Sequence, residues 1–225
     1  DQYQSEEHDF VIELFADGLD PMVFSIEPLP DGSFLLTEKE KGLSIISAKG
    51  IQSDVIKGTP RTATFALDLR GVQMGVGWLL GVAAHPDYNE NGWIYLHYTD
   101  LCPNGCTGDD SDSFFPVSMN RLDRGRIRDG DWVDVETLWQ AQIDSYTSAP
   151  DTGAGGRIAF DNDEHVYISI GIKDLYGPQD LNNPFGKIHR IMYDGSIPPD
   201  NPFVITTTGS SEEIPFTRKT IWTYG

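Results

Sequence analysis

A unit of strand, short acidic turn, strand and Gly-opened strand recurs along this chain, and that recurrence limits the folds open to it. The first copy runs Val23-Phe24-Ser25-Ile26, turn Leu29-Pro30-Asp31-Gly32-Ser33, Phe34-Leu35-Leu36-Thr37, then Gly42-Leu43-Ser44-Ile45-Ile46-Ser47. Proline presets φ and glycine takes positive φ, so the Pro-Asp-Gly turn predicts a hairpin. The second copy is Leu79-Leu80-Gly81-Val82-Ala83, His85-Pro86-Asp87, Asn91-Gly92, then Trp93-Ile94-Tyr95-Leu96-His97-Tyr98. The third is Gly156-Arg157-Ile158-Ala159-Phe160, a turn over 161–164, Val166-Tyr167-Ile168-Ser169-Ile170, then Gly186-Lys187-Ile188-His189-Arg190-Ile191. Counted between turns, the copies lie about 55 and 75 residues apart. Irregular repeats of several short strands predict an all-β chain built as a β-propeller.

Nothing in the sequence marks a second domain or a convincing amphipathic helix, so residues 1–225 are expected to form a single propeller domain. Segments 103–116 and 200–216 are rich in turn residues and predict long loops. At four strands per blade, the chain supplies roughly three and a half to four blades. A propeller must close or expose strand edges. The β-rich run at Ile221-Trp222-Thr223-Tyr224-Gly225 is therefore expected to belong to a C-terminally truncated propeller. Missing C-terminal blades, or a partner chain, would close it.

Charge excludes one class of partner. Lys and Arg number 16 against 35 Asp and Glu, a net charge of −19, which repels nucleic acid and anionic membranes. No apolar run approaches the roughly 18 residues of a membrane span. Cys102 and Cys106 stand in Cys-Pro-Asn-Gly-Cys, a spacing of neither redox nor haem type. A local disulfide is the expectation, and it places the protein in an oxidising compartment, secreted to the periplasm or beyond; two unpaired loop thiols are the other reading. The first residues lack an export signal, so any such signal is expected to have been removed.

Several motifs together resemble the glucose/sorbosone dehydrogenase family. They are Gly18-Leu19-Asp20-Pro21 with Leu29-Pro30-Asp31-Gly32 and Thr37-Glu38; Leu79 to Tyr88 with Asn91-Gly92; and Gly155-Gly156-Arg157-Ile158-Ala159-Phe160. Gln179-Asp180-Leu181-Asn182-Asn183 through Gly186-Lys187-Ile188 follows, then the ten consecutive positions Asp194 to Phe203 and the Ile221–Gly225 ending. The resemblance implies a six-bladed propeller, of which this chain covers roughly the first four blades. It also implies pyrroloquinoline quinone (PQQ) in a central cleft, held partly through calcium, and oxidation of sugars by a His base that an Asp orients.

The positions implied for that chemistry carry other residues. The base, four before Arg157, falls on Gly153. Its orienting Asp falls on Ile172, and a quinone-touching Gln falls on Val76, beside Gly77. Gly, Ile and Val side chains can neither donate nor accept a proton. Lys173 and Asp174 follow Ile172 directly, and a loop slip would bring Asp174 into the cleft. Val76, Gly77, Gly153, Arg157, Ile172, Lys173 and Asp174 are thus the candidate cleft residues, with no catalytic residue assigned. PQQ and calcium are doubtful in this chain.

The remaining candidates read more plainly. His85 is expected to make a structural hydrogen bond, His165 to be solvated in its turn, and His97 and His189 to be satisfied strand residues. Arg157 either faces the cleft as an anion site or joins a structural ion pair. Asp109-Asp110-Ser111-Asp112 and Asp129-Gly130-Asp131 lack calcium-loop spacing and are read as solvated charge. Trp78, Trp93, Trp132, Trp139 and Trp222 are read as blade packing, with Trp78 placed to fill quinone space. The expected role is a dehydrogenase-like propeller, catalytically degenerate, binding a sugar or assembling with a partner. The alternatives are an active quinone-dependent dehydrogenase with another base, or a hydrolytic propeller needing a metal at the ring centre.

Overall fold

A computed structural model describes residues 2–4, 6–60, 66–69, 72–102, 106, 115–173, 177–204 and 214–225. Asp174 and the Asp109–Asp112 cluster lie outside the described residues. In chain order the strands are β1 (Gln2–Gln4), β2 (Asp9–Val11), β3 (Val23–Pro28), β4 (Phe34–Glu38) and β5 (Gly42–Ile46). Next come β6 (Ala66–Leu69), β7 (Val72–Gly75), β8 (Leu79–Ala84), β9 (Ile94–Leu101), β10 (Ser118–Arg128) and β11 (Asp131–Gln140). The last are β12 (Gly155–Phe160), β13 (His165–Ile170), β14 (Lys187–Met192) and β15 (Ile221–Tyr224).

These strands form three antiparallel blades, β3-β4-β5, β8-β9-β10-β11 and β12-β13-β14-β15, with β1-β2 and β6-β7 as separate hairpins. The three repeats read from the sequence are the three blades. In the first turn Gly32 sits at φ 83°, and Asp31 accepts the Ser33 amide at 2.9 Å, which fixes the β3-β4 register.

The hairpin β10-β11 is not among the strands read from the sequence, although its tip carried the signal. Asp129 and Gly130 have φ of 52° and 83°, the two positive values that a tight Asp-Gly hairpin turn demands. The cluster Asp129-Gly130-Asp131 is therefore turn chemistry. Flanking arginines masked the strand pattern: Arg126 and Arg128 pair with Asp134 across the hairpin.

Apolar cores lie in the seams between blades. Leu35, Leu43, Leu79, Val82, Leu96 and Trp132 fill the seam between the first and second blades. Tyr95, Met119, Leu122, Trp139, Val166 and Ile191 fill the next. Each fully buried aliphatic side chain contributes about 1.5–3 kcal/mol. Trp93 is only partly buried and lies under the Arg126 and Arg124 guanidinium groups, at 3.5 and 4.4 Å. Trp222 departs from the packing expectation: it is 38% exposed, with Arg190 at 3.9 Å over its ring. It shares the open face of the third blade with Ile188, 39% exposed.

The inner strands β8 and β12 meet backbone to backbone. A β-carbon on Gly81 would stand 2.2 Å from the Gly156 carbonyl oxygen, and one on Gly156 would stand 2.5 Å from Leu80 Cβ. Only glycine permits this approach, which draws the strand starts together at the hub.

Candidate functional site at the propeller hub

The hub end of the blades gathers the segments that the sequence singled out. Trp78 precedes β8, and Arg157 sits near the start of β12. Lys39 follows β4. The 3₁₀ turn Asp151–Gly153 and the segment 171–173 after β13 complete the group. Beneath them Trp78, Leu80 and Ala154 form a buried cluster against Met22 and Phe24.

Gly153 and Ile172 are brought together, but by backbone contact. A β-carbon on Gly153 would lie 2.5 Å from the Ile172 carbonyl oxygen, and one on Gly171 would lie 1.8 Å from the Gly153 carbonyl oxygen. The Gly171 amide donates to the Ala154 carbonyl at 3.0 Å. The two loops thus close on each other through backbone, at the two positions where the resemblance implies a base and its orienting partner. Ile172 turns outward, 47% exposed, whereas Val76 is fully buried. Gly77, at φ 72°, is buried as well.

A charge pair missed by sequence reasoning lies directly behind this contact. Lys173 Nζ donates to Asp151 Oδ1 at 2.7 Å, and both side chains are fully buried. Ser118 Oγ donates to the same carboxylate oxygen at 3.2 Å. Thr99 Oγ1 donates to Oδ2 in a very short contact. Lys173 also donates to Ser118 Oγ at 2.7 Å and to the Ser118 carbonyl at 3.1 Å. Burial pushes the Lys173 ammonium below its ordinary pKa, and Asp151 opposes that shift. The partners are 22 residues apart, and no local pattern joins them.

At the mouth, Lys39 Nζ lies 4.2 Å from the Trp78 ring centre and 5.6 Å from that of Phe24. Arg157 is exposed and covers Phe24 at 4.9 Å. Among the described residues neither cation is ion-paired with a carboxylate, so the ion-pair reading of Arg157 gives way to ring stacking. Desolvation lowers the Lys39 pKa, against the attraction of Asp151 and Glu40. Lys39 was not singled out from the sequence; its only signal was adjacency to the Thr37-Glu38 motif.

The histidines hold structural places. His85 Nδ1 accepts from the Asp87 amide at 2.9 Å and contacts Asn91 Nδ2 at 3.0 Å. His97 and His189 are fully buried, beside Asn120 Nδ2 at 3.0 Å and Thr220 Oγ1 at 2.9 Å respectively. His165 is not solvated as expected: its side chain is 13% exposed and its Nδ1 lies 2.8 Å from Asp161 Oδ2. Cys102 and Cys106 are disulfide-bonded. Among the described residues no group of three or more His, Cys, Asp or Glu is placed to hold a metal ion.

The family model for glucose/sorbosone dehydrogenases matches residues 20–225. The chain belongs to this family. The aldose sugar dehydrogenase YliI of Escherichia coli is 29% identical over 154 residues, which is 67% of this chain and 36% of that protein. Quinoprotein glucose dehydrogenase B of Acinetobacter calcoaceticus is 26% identical over 195 residues, 77% of this chain and 37% of that protein. The apo structure of the soluble aldose sugar dehydrogenase from Escherichia coli superposes with a TM-score of 0.71 at 26% identity. That match covers 95% of this chain and 53% of the other. The PQQ-bound aldose sugar dehydrogenase from Streptomyces coelicolor gives a TM-score of 0.60 at 26% identity, over 86% of this chain and 51% of that one. The fold is thus the β-propeller of these dehydrogenases, and the chain spans about a third to a half of its relatives' length.

For PQQ, the residues present fit in one respect and fail in another. Lys39 and Arg157 offer cations to an anionic cofactor. At Gly153, the position that the resemblance implies for a base, there is no side chain, and the Ile172 carbonyl occupies the room that one would need. No proton-transfer step can be assigned to the described residues there.

Proposed function

We propose that this chain is a glucose/sorbosone dehydrogenase-like propeller segment whose hub no longer performs base catalysis and which serves as a secreted binding or assembly module. The observation that carries this reading is the backbone contact of Gly153 with Ile172 and Gly171 at the hub, which leaves no place for a base and its orienting partner. The buried Asp151–Lys173 pair supports it, because those charges are spent on each other and withdrawn from the cleft. The Cys102–Cys106 disulfide favours an oxidising compartment. The single propeller domain is completed by further blades or by a partner chain, which cover the face carrying Ile188 and Trp222.

Reconstitution tests the reading. PQQ and calcium are added to the protein, binding is followed by absorbance, and dye reduction is assayed with aldoses. No turnover is expected. Quinone binding with aldose-dependent turnover would overturn the proposal in favour of an active dehydrogenase with a different base. That second reading draws on the Lys39 and Arg157 cations at the hub mouth and on the PQQ-bound relative.

A further inference from the structure

The two ends of the three-blade row both carry uncovered apolar surface. In the third blade Val166, Ile168 and Ile170 belong to the core shared with the second blade. Successive side chains of a strand point to opposite faces, so Tyr167 and Ser169 point away from that core. Ile188 is paired with Ser169, and the Trp222 ring meets that of Tyr167 edge-on at 6.2 Å. Ile188 and Trp222 therefore stand on the far face of the blade, 39% and 38% exposed.

In the first blade Leu35 and Leu43 belong to the core shared with the second blade, so by the same alternation Phe34 and Leu36 point away from it. The 11–15 segment lies on that far side. The Phe15 ring meets that of Phe34 edge-on at 5.5 Å, and a β-carbon on Gly50 would stand 1.8 Å from the Phe15 carbonyl oxygen. Seated there, Val11 and Ile12 are each 61% exposed, Leu14 81% and Phe15 49%. Contiguous apolar surface of this kind marks an interaction site.

We propose that two copies of this chain associate head to tail, the 11–15 segment of each seating on the Ile188–Trp222 face of the other, to close one ring of blades. Charge sets the orientation. The first 38 residues hold ten Asp and Glu and no Lys or Arg, so two first-blade ends repel each other. Beside the other end stand Arg190 on β14 and the Arg218-Lys219 pair just before β15, which attract the acidic end. Length sets the number of copies. The chain covers 53% of the Escherichia coli aldose sugar dehydrogenase structure, so two copies supply about one propeller's worth of chain. A head-to-tail contact closes into a ring when its rotation allows and otherwise runs on as an open filament. Half a propeller repeated about the ring axis meets the closing condition and leaves no blade face open.

The test is light scattering and sedimentation on the purified 225-residue chain at micromolar concentrations. A mass of twice the chain's 25.0 kDa is expected. Leu14→Asp and Ile188→Asp alter exposed side chains, one at each end, so each variant folds and each raises the dimer dissociation constant at least about tenfold. Mixing the two variants recovers association, because one intact head then meets one intact tail; a contact between like ends gives no such rescue. A monomer, an open series of larger species, loss of association in only one variant, or no recovery on mixing overturns the proposal. A ring closed in native material by a different polypeptide, or by further residues of this one, overturns it too. The proposal rests on the reading of the chain as an assembly module. Quinone-dependent turnover would overturn the loss of base catalysis whatever the mass, and a monomer would overturn the two-copy ring whatever the hub does.

Discussion

Lys173 and Asp151 meet at 2.7 Å with no solvent access to either side chain, joining the two hub loops from behind while their glycines touch in front. The relationship turns two charges that flank the expected dyad positions into a cross-link between the turn before β12 and the end of β13. Removing one partner strands a buried charge, whereas removing both does not. Asp151→Asn or Lys173→Met alone is expected to cost about 3–5 kcal/mol. The double substitution is expected to recover most of that loss. Urea denaturation of the four proteins gives the coupling energy; additive single effects would contradict the cross-link.

Restoring a histidine is expected not to restore chemistry. Gly153→His must displace the Ile172 carbonyl, 2.5 Å from its β-carbon, so a loss of about 2 kcal/mol or more is expected, in the range of overpacking. Ile172→Asp, at a half-exposed position, is expected to stay within about 0.5 kcal/mol of the parent. Thermal melts separate the two substitutions. Dye-linked turnover in the double variant would show that the loops open more easily than their contact implies.

Acid should weaken the fold through its buried histidines. Desolvation holds His97 at about 3, against an ordinary value of 6.5; His189 is likewise held at about 3. Between those values the unfolded chain binds protons that the folded chain refuses. Stability is therefore complete above about pH 6.5 and falls as pH drops toward 3, by up to about 1.4 kcal/mol per pH unit for each histidine. In His97→Gln that slope is expected to shrink by one histidine's share. Denaturant midpoints at pH 6 and pH 4.5 measure it, and identical slopes in parent and variant would refute the assignment.

The open face of the third blade should be covered in native material. Ile188 and Trp222 are more than a third exposed on a sheet whose opposite face is packed. Light scattering on material from the source is expected to give a mass above the chain's 25.0 kDa. In an assembly of separate chains, Ile188→Asp is expected to shift the equilibrium toward the monomer. A stable, monodisperse 25.0 kDa species would argue against completion by further blades or a partner.

By itself the sequence marked the strands of the three repeats, their turns and the resemblance to the family. Those follow from local alternation and from Pro-Asp-Gly chemistry, which act over a few residues; the three repeats became the three blades for that reason. The resemblance also pointed to the cleft positions, and it marked Gly153 and Ile172 as lacking proton-transfer groups. The hairpin at Asp129-Gly130 escaped notice because its charged strands pair outward and break the apolar alternation. Only the tertiary structure decided that Lys173 joins Asp151 and that Lys39 and Arg157 share the Phe24 ring. Those arrangements depend on which blade faces which. Contacts across a seam are set by packing between residues far apart in the chain, and local pattern carries no record of them.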